Sequence, residues 1–304
     1  MKTPLIPAAW IISGGMVAFA AEPLTESTFT EIIQEANVVT AANKSGSPAK
    51  TNEVFKVPDL VRTGRDSRVE LTAKDQTITR VGSNTTFTFA QGGREILLKN
   101  GGVLFHSPAG VGGGAIKYKG SSAAVLGTTE IGQVLPDGRF KVLDLEGNVE
   151  VSLVNGISVR LKAGQMVIVS PDGTKFSEVT NFNLAELASH LLLVVGFSEP
   201  LSSRSLIEAA IEQQNQDIAN GRLTISGNWQ EAGLGLDVVF SPMNDSLFYL
   251  NGLDFMWNPL DFPGIGPVGP TPGGPGGLPL IPPVLQLIVN PPVINPPPMT
   301  NVNP

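Results

Sequence analysis

The sequence predicts an all-β fold, an antiparallel β-sandwich or jelly-roll-like module, followed by a small helical segment and a disordered Pro/Gly-rich tail. Three observations predict it. From Thr28 to Gly173, short apolar or alternating runs are punctuated by turn dipeptides about every ten residues, with no helical period. Between Asn183 and Gly221 the apolar spacing changes to that of helices. The last 46 residues, Pro259 to Pro304, hold 15 of the 25 prolines and 7 of the 34 glycines, a composition that cannot bury a core.

The first segment reads as export. Lys2 supplies a positive start, Ala8 to Ala20 an apolar run and Ala18-Phe19-Ala20 an A-x-A cleavage site, so residues 1–20 are expected to be a signal peptide and the mature chain to begin at Ala21. An uncleaved anchor over Thr3 to Ala21 is the alternative, weakened by Pro4, Pro7 and Gly14-Gly15. No later apolar run is long enough to span a bilayer. The mature chain is therefore expected to carry no transmembrane helix and to work in the periplasm or at the cell surface.

The β domain is placed at residues 21–175. Its candidate strands are 30–39, 53–61, 68–73, 77–81, 85–89, 95–98, 103–106, 115–118, 123–126, 129–135, 140–145, 149–154, 157–162 and 166–169. One hairpin can be read to its register. A two-residue loop at Asn155-Gly156 would put Val149, Val151 and Leu153 on the face opposite Ile157, Val159 and Leu161. A turn with Gly156 in a left-handed bulge instead pairs Leu153 with Ile157, Val151 with Val159 and Val149 with Leu161, giving one buried face. The bulged form is the expected one. Leu135-Pro136-Asp137-Gly138-Arg139 has the same turn chemistry.

A helical segment, 176–222, follows. Asn183 is expected to cap a helix over Leu184 to Val195, with Leu187, Leu191, Val194 and Val195 buried. Ser203 is expected to cap another from Arg204 to Asn220, closing at Gly221 and packing on the β domain through Leu206, Ile207, Ala210, Ile211 and Ile218. An aromatic and acidic segment occupies 223–258, and 259–304 is the Pro/Gly-rich tail.

Charge narrows the function classes. Residues 21–175 carry 17 basic and 16 acidic groups, whereas 176–262 carry 2 and 11, so the net charge of −7 belongs to the second stretch. Without a basic footprint, nucleic acid is not an expected partner. With no cysteine and only His106 and His190, disulfides, thiol nucleophiles, Cys-type zinc sites and most triads have no residues to build them. No catalytic, cofactor or metal residue is therefore assigned.

Several stretches together carry a resemblance: Val61-Arg62-Thr63-Gly64 with Ser67-Arg68-Val69-Glu70-Leu71; Thr79-Arg80-Val81-Gly82-Ser83-Asn84-Thr85; Gly102-Val103-Leu104; Leu126-Gly127-Thr128-Thr129; Val142 to Val149; and Leu161-Lys162-Ala163-Gly164-Gln165. In this order they resemble a FecR domain, the extracytoplasmic β module of ferric-citrate-type regulators. Read from the residues alone, Gly64, Gly82, Gly127, Gly147 and Gly164 fall at strand ends, where positive φ or close backbone approach is needed. Ser67, Arg68, Asn84 and Thr128 belong to the same structural motif, with Ser67-Arg68 and Asn84-Thr85 suited to bonding backbone groups in turns. The family's regulators add a cytoplasmic anti-sigma segment and a membrane helix. Here only the 20-residue export signal precedes the module, so the resemblance implies extracytoplasmic sensing, docking or scaffolding and not a whole transmembrane relay.

Other motifs give way to structural readings. Ala109 to Ala115 fits G-x-G-x-x-A, but Ile116 to Lys119 reads as a strand where a dinucleotide site needs a helix. A backbone anion nest in that loop is the lesser alternative. Ser47-Pro48-Ala49-Lys50 matches S-x-x-K without its companion signatures. His106 is expected to be a satisfied strand-end histidine with no carboxylate spaced to join it, and His190 a helix residue beside a buried stripe.

The expected function is an exported, non-enzymatic protein-binding, sensing or scaffolding module of the bacterial cell envelope. Its rival is a structural or adhesive protein binding polysaccharide through 223–262, where Trp229, Tyr249 and Trp257 would stack on sugar rings and Asp245 and Asp254 accept hydroxyl hydrogen bonds. The partner is an envelope protein in the first case and a polysaccharide in the second. No cofactor is implied.

Overall fold

The computed structural model describes residues 22–125, 127–240 and 248–249. The expected signal peptide, Leu126, most of the aromatic segment beyond Phe240 (Asp245, Asp254 and Trp257 included) and the tail 259–304 lie outside the described residues. The strands are β1 (Glu26–Ile33), β2 (Ala36–Val39), β3 (Ser47–Pro48), β4 (Val54–Lys56), β5 (Leu60–Thr63), β6 (Arg68–Thr72), β7 (Ile78–Val81), β8 (Thr86–Phe89), β9 (Glu95–His106), β10 (Gly114–Tyr118), β11 (Ser121–Val125), β12 (Thr129–Val134), β13 (Phe140–Glu146), β14 (Asn148–Ser152), β15 (Ser158–Lys162), β16 (Gln165–Val169) and β17 (Thr180–Asn181). Helices α1 (Leu184–His190), α2 (Leu192–Val195), α3 (Arg204–Ala219) and α4 (Trp229–Gly233) follow, then a small pair, β18 (Val239–Phe240) and β19 (Phe248–Tyr249).

Seventeen strands form two layers that share β9. Sheet A runs β4-β1-β6-β7-β9-β12-β13-β16-β17. Sheet B runs β3-β2-β5-β8-β9-β10-β11-β14-β15. The all-β expectation holds, with one departure from antiparallel pairing: Glu95–Leu97 runs parallel to Ala115–Lys117. The cause is the loop after His106, where Gly110, Gly112 and Gly113 all take positive φ and return the chain beside the start of its own strand.

The strand expected in two pieces, 95–98 and 103–106, is continuous. Its first half pairs with β8 and β10 and its second with β7 and β12, so β9 passes from sheet B to sheet A at Asn100-Gly101-Gly102. Gly101 makes the bend with φ 79° while Thr85 fills the space a side chain would need. Two other expected strands are each split. Gln34 at φ 66° separates β1 from β2, and the turn at Val57 to Asp59 separates β4 from β5.

Between the sheets lies the main core, where Phe29, Phe55, Phe87 and Phe89 meet at centroid distances of 5.5–6.3 Å. The Asn155-Gly156 hairpin takes the bulged form: Val149 faces Leu161, Val151 faces Val159, the Leu153 amide bonds Ile157 O and Gly156 sits at φ 83°. Five of its six apolar residues turn inward to some degree. Ile157, beyond the sheet's end, is 59% exposed.

A second core covers the outer face of sheet A. Ile78, Leu104, Ile131, Leu143 and Met166 pack against Phe182, Leu187, Leu191, Leu193, Ile207 and Leu236 of the helical region. Asn183 caps α1 by accepting from the Glu186 amide. The helix expected to reach Val195 breaks at Leu191, whose extended backbone bridges to Val238, and Val195 is exposed. Along α3, Ile207 and Gln214 are the buried residues, and Leu206 and Ile218 face solvent. Ser203 makes no side-chain cap because its hydroxyl is committed to Thr129.

Candidate functional site

The two outer faces differ in how they are built. Sheet A is sealed, and buried polar groups of the strands clamp the sealing helices. Arg80 is fully buried and pairs through Nε with Glu70 at 2.7 Å. Its remaining nitrogens donate to the carbonyls of Leu193, Val194 and Glu199, the first two at the end of α2, and Phe197 lies over the guanidinium at 4.3 Å. Lys141 does the same for α4: its buried ammonium donates to the carbonyls of Glu231, Ala232 and Leu234 at 2.6–3.2 Å. Both cations sit at helix C-termini, where unsatisfied carbonyls gather. Among the described residues no carboxylate bonds Lys141; burial, and secondarily Arg139, pull its pKa down to about 7.

Two further clamps come from the motif stretches. Asp237 Oδ2 accepts from the Ser83 amide at 2.8 Å and its hydroxyl at 2.9 Å, and burial raises its pKa. At Gly164 any Cβ would collide with Gln214, whose amide bonds Phe182 O and the Leu184 amide. Gly164 therefore lets α3 sit against the sheet.

Beneath the start of α3 lies a polar cluster. His106 Nδ1 is 3.0 Å from Thr129 Oγ1, which also reaches Glu146 Oε1 at 2.8 Å and Ser203 Oγ at 2.7 Å. Contrary to the sequence expectation, a carboxylate does join His106, with Glu146 Oε1 3.8 Å from Nδ1. A bulge brings it there: Thr129 faces Glu146 and Glu130 faces Asp144, so Leu145 has no opposite residue and Glu146 turns toward the helices. Burial keeps His106 below and Glu146 above their usual pKa values. Ser203 and Thr129 are 0% exposed, so this serine-histidine-glutamate grouping meets no external substrate.

Among the described residues, sheet B has no such cover. Its outward rows, Thr88-Leu97-Lys117-Ser122-Ser152-Ser158 and Glu95-Ala115-Ala124-Glu150-Arg160, run across adjacent strands. Small residues make the middle flat, and the ion pairs Lys117–Glu95 (2.5 Å) and Arg160–Glu150 (3.2 Å) flank it. A cleft of ≈ 990 Å³ opens along the second row and ends at Gly92, Gly112, Gly127, Thr128 and Gly147. Arg94 forms one wall, held by Asp75 (2.6 Å), Thr77 Oγ1 (2.7 Å) and the carbonyls of Gly113 and Glu22.

The residues singled out in the sequence are thus distributed. Gly127 and Gly147 have positive φ and line the cleft with Thr128. Gly64 approaches Glu35 and Ser67, while Ser67 Oγ bonds the Glu35 amide and Arg65 O. Asn84 takes φ 51° and its carbonyl accepts from Asn100. Arg68 opens β6 with Nε buried. Trp229 lies on α4, packed against the second core with one face of its indole stacked on His190 at 4.7 Å. Tyr249 contributes backbone to β19. Sequence reasoning missed Arg80 and Lys141 as clamps and the acids Glu130 and Asp144. Their partners lie in distant chain segments or in the opposite strand face, and no local pattern marks them.

Residues 59–150 match the family model described as FecR protein. That stretch is similar to a FecR domain. Arg80, Ser83, the strand residues of the polar cluster (His106, Thr129 and Glu146) and the glycine end of the cleft all fall within this matched stretch, whereas Ser203 and the helices clamped to it lie beyond. Solved structures similar to the chain include two of a putative anti-sigma factor from Parabacteroides distasonis, at 18% and 17% identity, each with a TM-score of 0.35, covering 40% of this chain and 59% of theirs. The chain thus spans less than two thirds of those structures' length. No curated protein matches the sequence. No described helix is long and apolar enough to cross a membrane.

Proposed function

We propose that the chain is an exported, non-enzymatic FecR-domain module of the bacterial envelope, which senses or scaffolds by binding an envelope protein through the open face of sheet B. The observation that carries this reading is the asymmetry of the FecR domain's two faces. Among the described residues, the chain's own helices occupy one, and the other is a solvated surface beside a cleft. Such a surface suits a partner and offers no reactive constellation. Arg62, Lys99, Lys117, Arg160 and Lys162 point outward here against Glu95 and Glu150, which favours an acidic partner surface. The pattern of residues 1–20 supports export.

Crosslinking in intact cells tests it. The mature chain should be trapped on an envelope protein, a receptor or a membrane regulator. Recovery only with peptidoglycan or capsule would overturn the reading in favour of the polysaccharide rival, which Trp257→Ala would then probe through loss of glycan retention without unfolding.

A further inference from the structure

Two carboxylates lie inside the sandwich, on the core side of sheet A. Glu130 of β12 and Asp144 of β13 are direct cross-strand partners, and both are 0% exposed. Among the described residues no hydrogen bond of ordinary geometry reaches any of their four carboxylate oxygens. The Ile116 amide of β10 approaches Glu130, and the Glu146 and Val149 amides approach Asp144, which partly favours the charged forms. Phe105 of β9 faces Glu130 across the strand. The titratable groups nearby are Glu146, which repels Asp144, and His106, which is held by Thr129 near Glu146. Lys141, on the same strand, points the other way into the α4 carbonyls. No basic side chain pairs with either acid among the described residues.

Two adjacent carboxylates without a counterion, and met only by loosely placed backbone amides, disfavour a doubly charged state in an apolar core; such a pair persists by holding protons. We propose that Glu130 and Asp144 make the FecR domain a pH-responsive element, tight when the pair is protonated and loosened around the β12–β13 ladder when alkaline surroundings remove its protons. The inference does not depend on which partner the domain binds. It would give a module outside the cytoplasm, where pH follows the surroundings, a graded response of its core.

Desolvation comes first in both shifts. Glu130 is held well above the ordinary carboxylate range and Asp144 is pushed up to about 8. An acid whose folded pKa is raised stabilises fully below its unfolded value, near 4, and loses that contribution as pH rises toward the folded value. For each proton bound only in the folded state, the unfolding equilibrium constant rises tenfold per pH unit in that window. His106, with its folded pKa lowered, works in the opposite direction at and below about pH 6.5, and Lys141 does so above about pH 7. The difference between wild type and variant isolates the pair.

The experiment is urea unfolding of the mature chain from pH 4.5 to 7.5, in wild type, Glu130→Gln, Asp144→Asn and the double variant. Each single variant should lower the pH dependence of the unfolding constant by up to tenfold per pH unit, and the double variant should gain on wild type as pH rises. Unchanged dependence in the double variant would overturn the proposal. Should the variants not fold, the side-chain carboxyl carbon resonances of wild type decide. Titration of the assigned Glu130 and Asp144 carboxyls well above the ordinary range sustains the proposal, and titration of either below about pH 5 contradicts it.

Discussion

Sheets A and B share a core and a strand, yet they solve the problem of their outer faces in opposite ways. In sheet A, β7 and β13 are buried along their whole length, even though β13 reads Phe-Lys-Val-Leu-Asp-Leu-Glu. In sheet B, β8 and β14 alternate between buried and open positions. The difference teaches that a buried face need not be apolar. Sheet A uses Arg80, Lys141 and Ser83 to answer the ends and loops of short helices that cannot satisfy their own carbonyls and charges. Sheet B leaves its charges in water, where Arg160–Glu150 contributes little. The helical side, residues 176–240, carries 8 acidic and 2 basic groups, so the sealed and open faces also differ in sign.

The contrast can be broken most forcefully at Arg80. Arg80→Met strands Glu70 in the core and frees three carbonyls, and should cost about 3–5 kcal/mol in urea unfolding. Next come matched truncations of outward apolar residues. Leu187→Ala, on the inner side of the helical layer, should cost about 2–5 kcal/mol. Ile157→Ser, in the turn just beyond the end of sheet B, should stay within about 0.5 kcal/mol. Equal effects would erase the distinction between sealed and open faces.

Lys141 sharpens the comparison through pH. Its folded pKa of about 7 lies below the ordinary 10.5 because of burial first and Arg139 second. The unfolded chain therefore binds more protons between those values, and the Lys141 contribution to stability is weakest below pH 7 and grows up to about pH 10.5. Wild type should gain stability relative to Lys141→Met across that window, read from melting temperatures at pH 7, 8.5 and 10. The smallest expected effect is on sheet B: Glu150→Gln should change stability by less than about 0.5 kcal/mol, and less still at high salt.

How much of this could be read from the chain depends on how local each cause is. The bulged hairpin at Asn155-Gly156 and the turn at Asp137-Gly138 are set by residues within five positions, and both follow their local chemistry, with Leu135 and Arg139 bonded across the second. Asn183 capping α1 is equally local. The splits at Gln34 and Leu191 are not, since a residue with no glycine or proline signal leaves its element's conformation, Gln34 for positive φ and Leu191 for an extended backbone that bridges to Val238. Ser203 looked like a cap because its position before α3 suits one, but Thr129, 74 residues earlier, claims its hydroxyl. Nothing local marks β13, with its polar residues, as fully buried, because the helices that cover it come tens of positions later. Glu130 and Asp144 carry no sequence signal as a pair, because their facing position depends on the β12–β13 register and on which face of each strand turns inward.

The claim that sheet B is the binding face is tested most directly by site-specific photo-crosslinking in intact cells. A crosslinking residue at Ala124, in the middle of sheet B, is compared with one at Gln213, on the exposed side of α3. Capture of an envelope protein from Ala124 and not from Gln213 is the predicted result; capture from Gln213 alone would contradict it.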